Sequence, residues 1–149
     1  MKSVPKSLKI IVLALVVILL PAQFIRIDKS NPPGRSDLAA VPVKSVLHRA
    51  CYNCHSNETV WPWYSSVAPV SWLVGSDVKG GRGHLNFSEW SEYDSGTRSH
   101  KLRSIVEEVQ GGDMPPWYYS LVHRDSRLSA AERNQILTWA KEAIGPEAK

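Results

Sequence analysis

Cys51-Tyr52-Asn53-Cys54-His55 is the segment that most restricts what this 149-residue chain can become. Two thiols three positions apart, followed directly by an imidazole, make the Cys-x-x-Cys-His spacing of covalent c-type haem attachment. Thiols at this separation can form thioethers to the two vinyl groups of one haem. The histidine after them can then reach the iron from the proximal side. Cys51 and Cys54 are the chain's 2 cysteines, so neither has another to pair with. Two other chemistries use Cys-x-x-Cys. A redox dithiol wants a βαβ setting, and no useful β alternation is present. A structural zinc wants four ligands. His55 is poorly placed to share a tetrahedral ion with both thiolates, and His84, His100 and His123 show no paired spacing.

The N-terminus opens with Lys2, Lys6 and Lys9, then an apolar run from Ile10 to Leu20. Pro21-Ala22-Gln23 interrupts it, and Phe24-Ile25 resumes it. Counted from Leu8 to Ile27, the stretch approaches the roughly 20 residues that span a bilayer. Leu20-Pro21-Ala22 is a poor small-x-small cleavage site. The expectation is an uncleaved anchor over residues 1–27, with cleavage to a soluble periplasmic protein as the alternative. Basic residues flank both ends of the run, so the positive-inside bias is weak. The haem motif argues that the body of the chain is exported, as in bacterial c-type cytochromes. The predicted location is the inner membrane, single-pass, with the C-terminal domain periplasmic.

The net charge of +4 belongs to the leader. Lys2, Lys6, Lys9 and Arg26 precede the first acidic residue, Asp28, and from there the chain carries 14 basic and 14 acidic residues. A nucleic-acid surface is not supported.

Residues 28–42, with Asn31-Pro32-Pro33-Gly34, read as a semi-rigid linker. Residues 43–149 read as one helical domain. Val43, Val46, Leu47 and Ala50 fall at i, i+3, i+4 and i+7, a helical stripe running straight into Cys51. Trp61-Pro62-Trp63-Tyr64 and Val67-Ala68-Pro69-Val70 suit a packed aromatic loop better than a helix. Val70, Leu73, Val74 and Val78 predict a helix ending at Gly80-Gly81. Ser88 is a plausible cap for a short helix through Trp90. Leu102, Ile105, Val106 and Val109 form another stripe, with Ser99 as the expected N-cap and Gly111-Gly112 as the stop. Ser129 and Glu132 match a capping box for a last helix that buries Ile136, Trp139, Ala140 and Ala143 and stops at Gly145-Pro146.

Asp113-Met114-Pro115-Pro116-Trp117 follows the second stripe. A thioether on a proline-bounded loop is a credible sixth iron ligand, soft and neutral, and it favours reduced iron. Pro115 keeps Met114 out of helical geometry. His84 is the weaker alternative.

A helix ending in Cys-x-x-Cys-His, a Met-Pro loop and a closing helix together resemble the class I cytochrome c fold, whose first and last helices cross beside the haem. The segments 51–59, 61–65 (Trp-Pro-Trp-Tyr-Ser), 68–74, 84–90 (His-Leu-Asn-Phe-Ser-Glu-Trp) and 114–118 (Met-Pro-Pro-Trp-Tyr) are similar to small bacterial proteins carrying a haem-binding domain. The resemblance implies an all-α, cytochrome c-like domain around one covalent haem c. Cys51 and Cys54 would be its thioether sites, His55 the proximal ligand and Met114 the distal one. The expected role is a single-haem electron carrier, not an enzyme, whose partners are redox proteins in the periplasm or inner membrane. A haem sensor or enzyme with an open sixth position is the alternative, and a zinc or dithiol module the second.

Overall fold

The computed structural model describes residues 5–34 and 42–145. Every regular element among the described residues is helical. In chain order these are α1 (Lys6–Ala22), α2 (Lys44–Ala50), α3 (Tyr52–His55), α4 (Val70–His84), α5 (Ser95–Gly111), α6 (Trp117–Val122) and α7 (Ala130–Ile144). Short 3-10 turns lie at Trp63–Ser66, Phe87–Glu92 and Arg124–Ser126. The all-α expectation therefore holds. The chain divides into two units: Met1–Ser30 with Trp61–Asp77, and Asn31–Val60 with Val78–Lys149.

The first unit corrects the expected membrane anchor. Helix α1 has 17 residues and contains Lys9 and Pro21. At about 1.5 Å per residue it covers about 26 Å, against the roughly 30 Å of a bilayer's hydrocarbon core. No helix among the described residues is long and apolar enough to cross a membrane. The residues counted toward a longer span are used otherwise. The Gln23 side chain donates from Nε2 to the Ala68 carbonyl (3.2 Å) and accepts from the Ala68 N–H at Oε1 (3.0 Å). Trp72 Nε1 donates to the Ile25 carbonyl at 3.2 Å. Ile27 packs against Gly75, where an added methyl would lie 2.9 Å from its Cγ2. The chain thus turns at Gln23 and runs back along residues 65–75. Trp63, expected in a packed aromatic loop, is 80% exposed.

The second unit holds the core. Val46 and Leu47 of α2, Leu102, Ile105 and Val109 of α5, and Ile136, Trp139 and Ala140 of α7 are buried together with Tyr52, Phe87 and Trp90. The principal helix pair is α5 with α7. Helix α2 joins α7 through the Arg49–Glu132 ion pair. Burying a side chain the size of Leu102 stabilises by about 1.5–3 kcal/mol. Aromatic rings run through this core. Tyr52 stacks on Phe87 (5.0 Å), Phe87 meets Trp90 (6.2 Å), and Trp90 meets Trp139 (6.3 Å).

Several helix ends differ from their expected places. Helix α4 continues through Gly80-Gly81 to His84. Helix α5 starts four residues before Ser99, because the Asp94 carboxylate takes the Thr97 N–H at 2.7 Å; Ser99 bonds back to the Ser95 carbonyl inside the first turns. Asn86, not Ser88, caps the turn at Phe87–Glu92, and the Ser88 hydroxyl instead accepts from the Asn57 N–H at 2.9 Å. The Ser129–Glu132 capping box forms as expected, and Gly112 closes α5 in the left-handed region at φ 86°. Of the expected linker, residues 35–41 lie outside the described residues, as does Pro146 of the last stop. Its first part is fastened by the Asn57 side chain, which donates to the Pro33 carbonyl at 3.2 Å.

Candidate haem site

The apolar stripe of α2 delivers the motif. Leu47 is buried, and its carbonyl accepts from the Cys51 N–H at 2.8 Å. The chain kinks at Cys51, then makes the single turn α3, closed by Cys54 N–H (3.1 Å) and His55 N–H (2.9 Å) on the Cys51 carbonyl. Cys51, Cys54 and His55 stand at i, i+3 and i+4 of this turn, the spacing at which residues of a helix share a face. Tyr52, between them, goes into the core at 3% exposure and holds the turn in place through its stack on Phe87.

The C-terminal turn of α4 forms the wall behind this face. A methyl at Gly81 would lie 2.5 Å from the Cys54 carbonyl oxygen. Only a glycine lets the α4 backbone come this close, which is why the helix runs on through residues read as a break. His55 Nδ1 lies 3.1 Å from the Leu85 carbonyl. A carbonyl only accepts, so Nδ1 carries the proton and Nε2 keeps its lone pair. Burial lowers the pKa of His55, against the opposing pull of the Leu85 and Gly81 carbonyls. A ring oriented and tautomerically fixed in this way is the arrangement seen behind metal-bound histidines.

Cys51 and Cys54 form no disulfide. Burial, helped by the neighbouring Cys54 and opposed by Arg49, pushes the Cys51 thiol up to about 12. A redox dithiol needs a thiolate of depressed pKa, which this position does not supply. Among the described residues no group of three or more His, Cys, Asp or Glu could hold a metal ion. A haem asks less of the protein, one imidazole for the iron and two sulfurs for its edge. The turn Cys51–His55 fits that demand, since a thioether is uncharged and tolerates the burial that penalises a thiolate.

Met114 is partly buried on the loop between α5 and α6. Its backbone is fixed at the end of α5, where the Glu108 carbonyl faces the N–H groups of Gly112 (3.1 Å), Asp113 (3.0 Å) and Met114 (3.3 Å). Beyond Pro115-Pro116 the loop enters α6, and there Tyr119 meets the motif: Asn53 Nδ2 donates to its hydroxyl at 2.9 Å. His84 is exposed at the end of α4, one residue before the carbonyl that holds His55. His123, unremarkable in the sequence, stacks its ring on Tyr119 at 4.3 Å.

Sequence reasoning missed the polar frame behind the motif. Arg82 donates from Nε to the Ser56 carbonyl (2.8 Å) and from Nη2 to Thr59 Oγ1 (2.9 Å) and Asn31 Oδ1 (2.7 Å). Thr59 Oγ1 in turn donates to the Asn53 carbonyl at 2.9 Å. The only hint was the cluster of small polar residues directly after the motif.

Neither a curated relative nor a solved structure matches the sequence. The family profile described as "Haem-binding domain" matches residues 17–142, most of the chain's 149 residues and all of the site described above. That description is of a binding domain, not of a defined enzyme. The chain belongs to the haem-binding domain family.

Proposed function

We propose that the chain binds one c-type haem covalently through Cys51 and Cys54, with His55 as proximal and Met114 as distal iron ligand, and that it works as a one-electron carrier. The observation that carries this reading is the His55–Leu85 contact on the turn that bears Cys51 and Cys54. With Nδ1 engaged by that carbonyl, Nε2 is the atom of this turn that would hold the iron. Attachment balances without an oxidant. Each thiol adds across one vinyl group, the sulfur bonding to one carbon and the proton passing to the other. A bound haem would supply an iron centre that exchanges one electron.

The protein's own part is to hold ligands and limit rearrangement. Leu85 fixes the orientation of His55, and the core stack on Tyr52 fixes the turn that carries it. His84 is the weaker distal candidate because it directly precedes Leu85, whose carbonyl engages Nδ1 of His55, while Nε2 is the atom that would hold the iron. The cap at Glu108 holds the Met114 backbone. Ligands kept in place in both oxidation states leave little to reorganise on electron transfer. The chain's partners on this reading are redox proteins, and covalent attachment goes with a periplasmic setting for the haem-binding part.

The test is the optical spectrum of protein produced with a c-type maturation system, recorded with and without carbon monoxide. A low-spin reduced spectrum that carbon monoxide barely perturbs is expected, with Met114→Ala converting it to one that binds the gas readily. Rapid, tight binding by the unaltered protein would instead establish the open-site reading, a sensor or haem enzyme.

A further inference from the structure

We infer that Asn53 and Tyr119 are positioning residues that set the placement of Met114 relative to the Cys51–His55 turn, an inference resting on Met114 as distal ligand. Asn53 occupies a motif position that attachment chemistry leaves unassigned, yet its polar groups converge on one arrangement. Its carbonyl accepts from Thr59 Oγ1 (2.9 Å), its Oδ1 accepts from the Val60 N–H (3.1 Å), and its Nδ2 donates to Tyr119 Oη (2.9 Å). The amide is therefore held on its near side and aimed at α6 on the other. Arg82, bonded to Thr59 Oγ1 at 2.9 Å, stiffens the near side further.

Helix α6 needs such a hold. It has 6 residues and none of them is buried, whereas isolated helices this short do not persist in water. Trp117, Leu121 and Val122 are exposed at 77%, 62% and 63%, so these three apolar side chains contribute little to its placement. The hydrogen bonds of Ser120, to Arg127 Nε (2.9 Å) and Ser126 Oγ (3.2 Å), stay within the 120–127 segment. The bond from Asn53 instead reaches across 66 positions of sequence. Tyr119 is braced to receive it by its stack on His123 at 4.3 Å and by the His123 N–H on its carbonyl at 2.8 Å. The Met114 loop is thus fixed at its start by the Glu108 carbonyl and at its end by a contact with the residue between the two thioether positions. Proximal attachment and distal ligand share one frame.

The experiment compares the full haem-loaded chain with its Tyr119→Phe, Asn53→Ala, double and Met114→Ala forms. Two quantities are read: the long-wavelength sulfur-to-iron absorption band of the oxidised protein, and the affinity for imidazole, which competes for the sixth position. Tyr119→Phe keeps its haem and its helical circular dichroism, weakens the band and binds imidazole about fivefold more tightly, the scale of one hydrogen bond. In the Asn53→Ala background the same change adds little. Should Tyr119→Phe fail to accumulate, Asn53→Ala alone carries the comparison. A band and an imidazole affinity unaltered in either variant overturn the inference while leaving the ligand reading intact. An imidazole affinity that Met114→Ala also leaves unaltered refutes the ligand reading, and this inference with it.

Discussion

Gly81 lies against Cys54 so closely that a methyl group on it would sit 2.5 Å from the Cys54 carbonyl oxygen. The other glycines of that helix segment, Gly80 and Gly83, would place a methyl in open space. The three positions therefore predict opposite signs for one chemical change. Gly81→Ala forces α4 away from the motif and costs about 1–3 kcal/mol, the usual penalty of overpacking. Gly80→Ala gains up to about 1 kcal/mol from helix propensity alone. Denaturant unfolding of the haem-loaded variants checks this, and a Gly81→Ala as stable as Gly80→Ala would contradict the packing described.

Leu102 is 1% exposed where α5 meets α7. Truncating it leaves a cavity in the principal helix pair, so Leu102→Ala costs about 2–5 kcal/mol. A loss below about 1 kcal/mol in the same unfolding measurement would place the core elsewhere.

Hydrogen bonds from the Ser129 backbone and hydroxyl, with the nearby Arg49, hold the Glu132 carboxyl below its ordinary value of 4.5. The folded state therefore binds this proton less readily than the unfolded chain does. The stabilisation is present above 4.5 and is lost as pH falls through the lower, folded value. Glu132→Gln keeps an acceptor for the capping box and removes the titration. Its stability changes less than the parent's between about pH 5 and pH 3. Parallel curves for parent and variant would contradict the linkage.

The sequence disclosed those features whose cause is local. The Cys51–His55 turn follows from spacing, the buried face of α5 from the period of Leu102, Ile105 and Val109, and the start of α7 from the Ser129–Glu132 box. What escaped depends on remote partners. Gly80-Gly81 reads as a break until the approach of Cys54 to residue 81 is known. Ser99 reads as a cap until the stronger Asp94 acceptor is seen in place. The apolar leader reads as a span until Gln23 is found paired to Ala68, 45 positions away. The Asn53–Tyr119 bond leaves no periodic trace at all.

The claim on which the account stands is the pair of thioether bonds. Intact mass under denaturing conditions, on protein from cells carrying a c-type maturation system, tests it most directly. The account predicts a polypeptide heavier by one haem, with the added mass lost when Cys51 and Cys54 are both changed to alanine. A polypeptide of bare mass, its colour removed by denaturation, would contradict it.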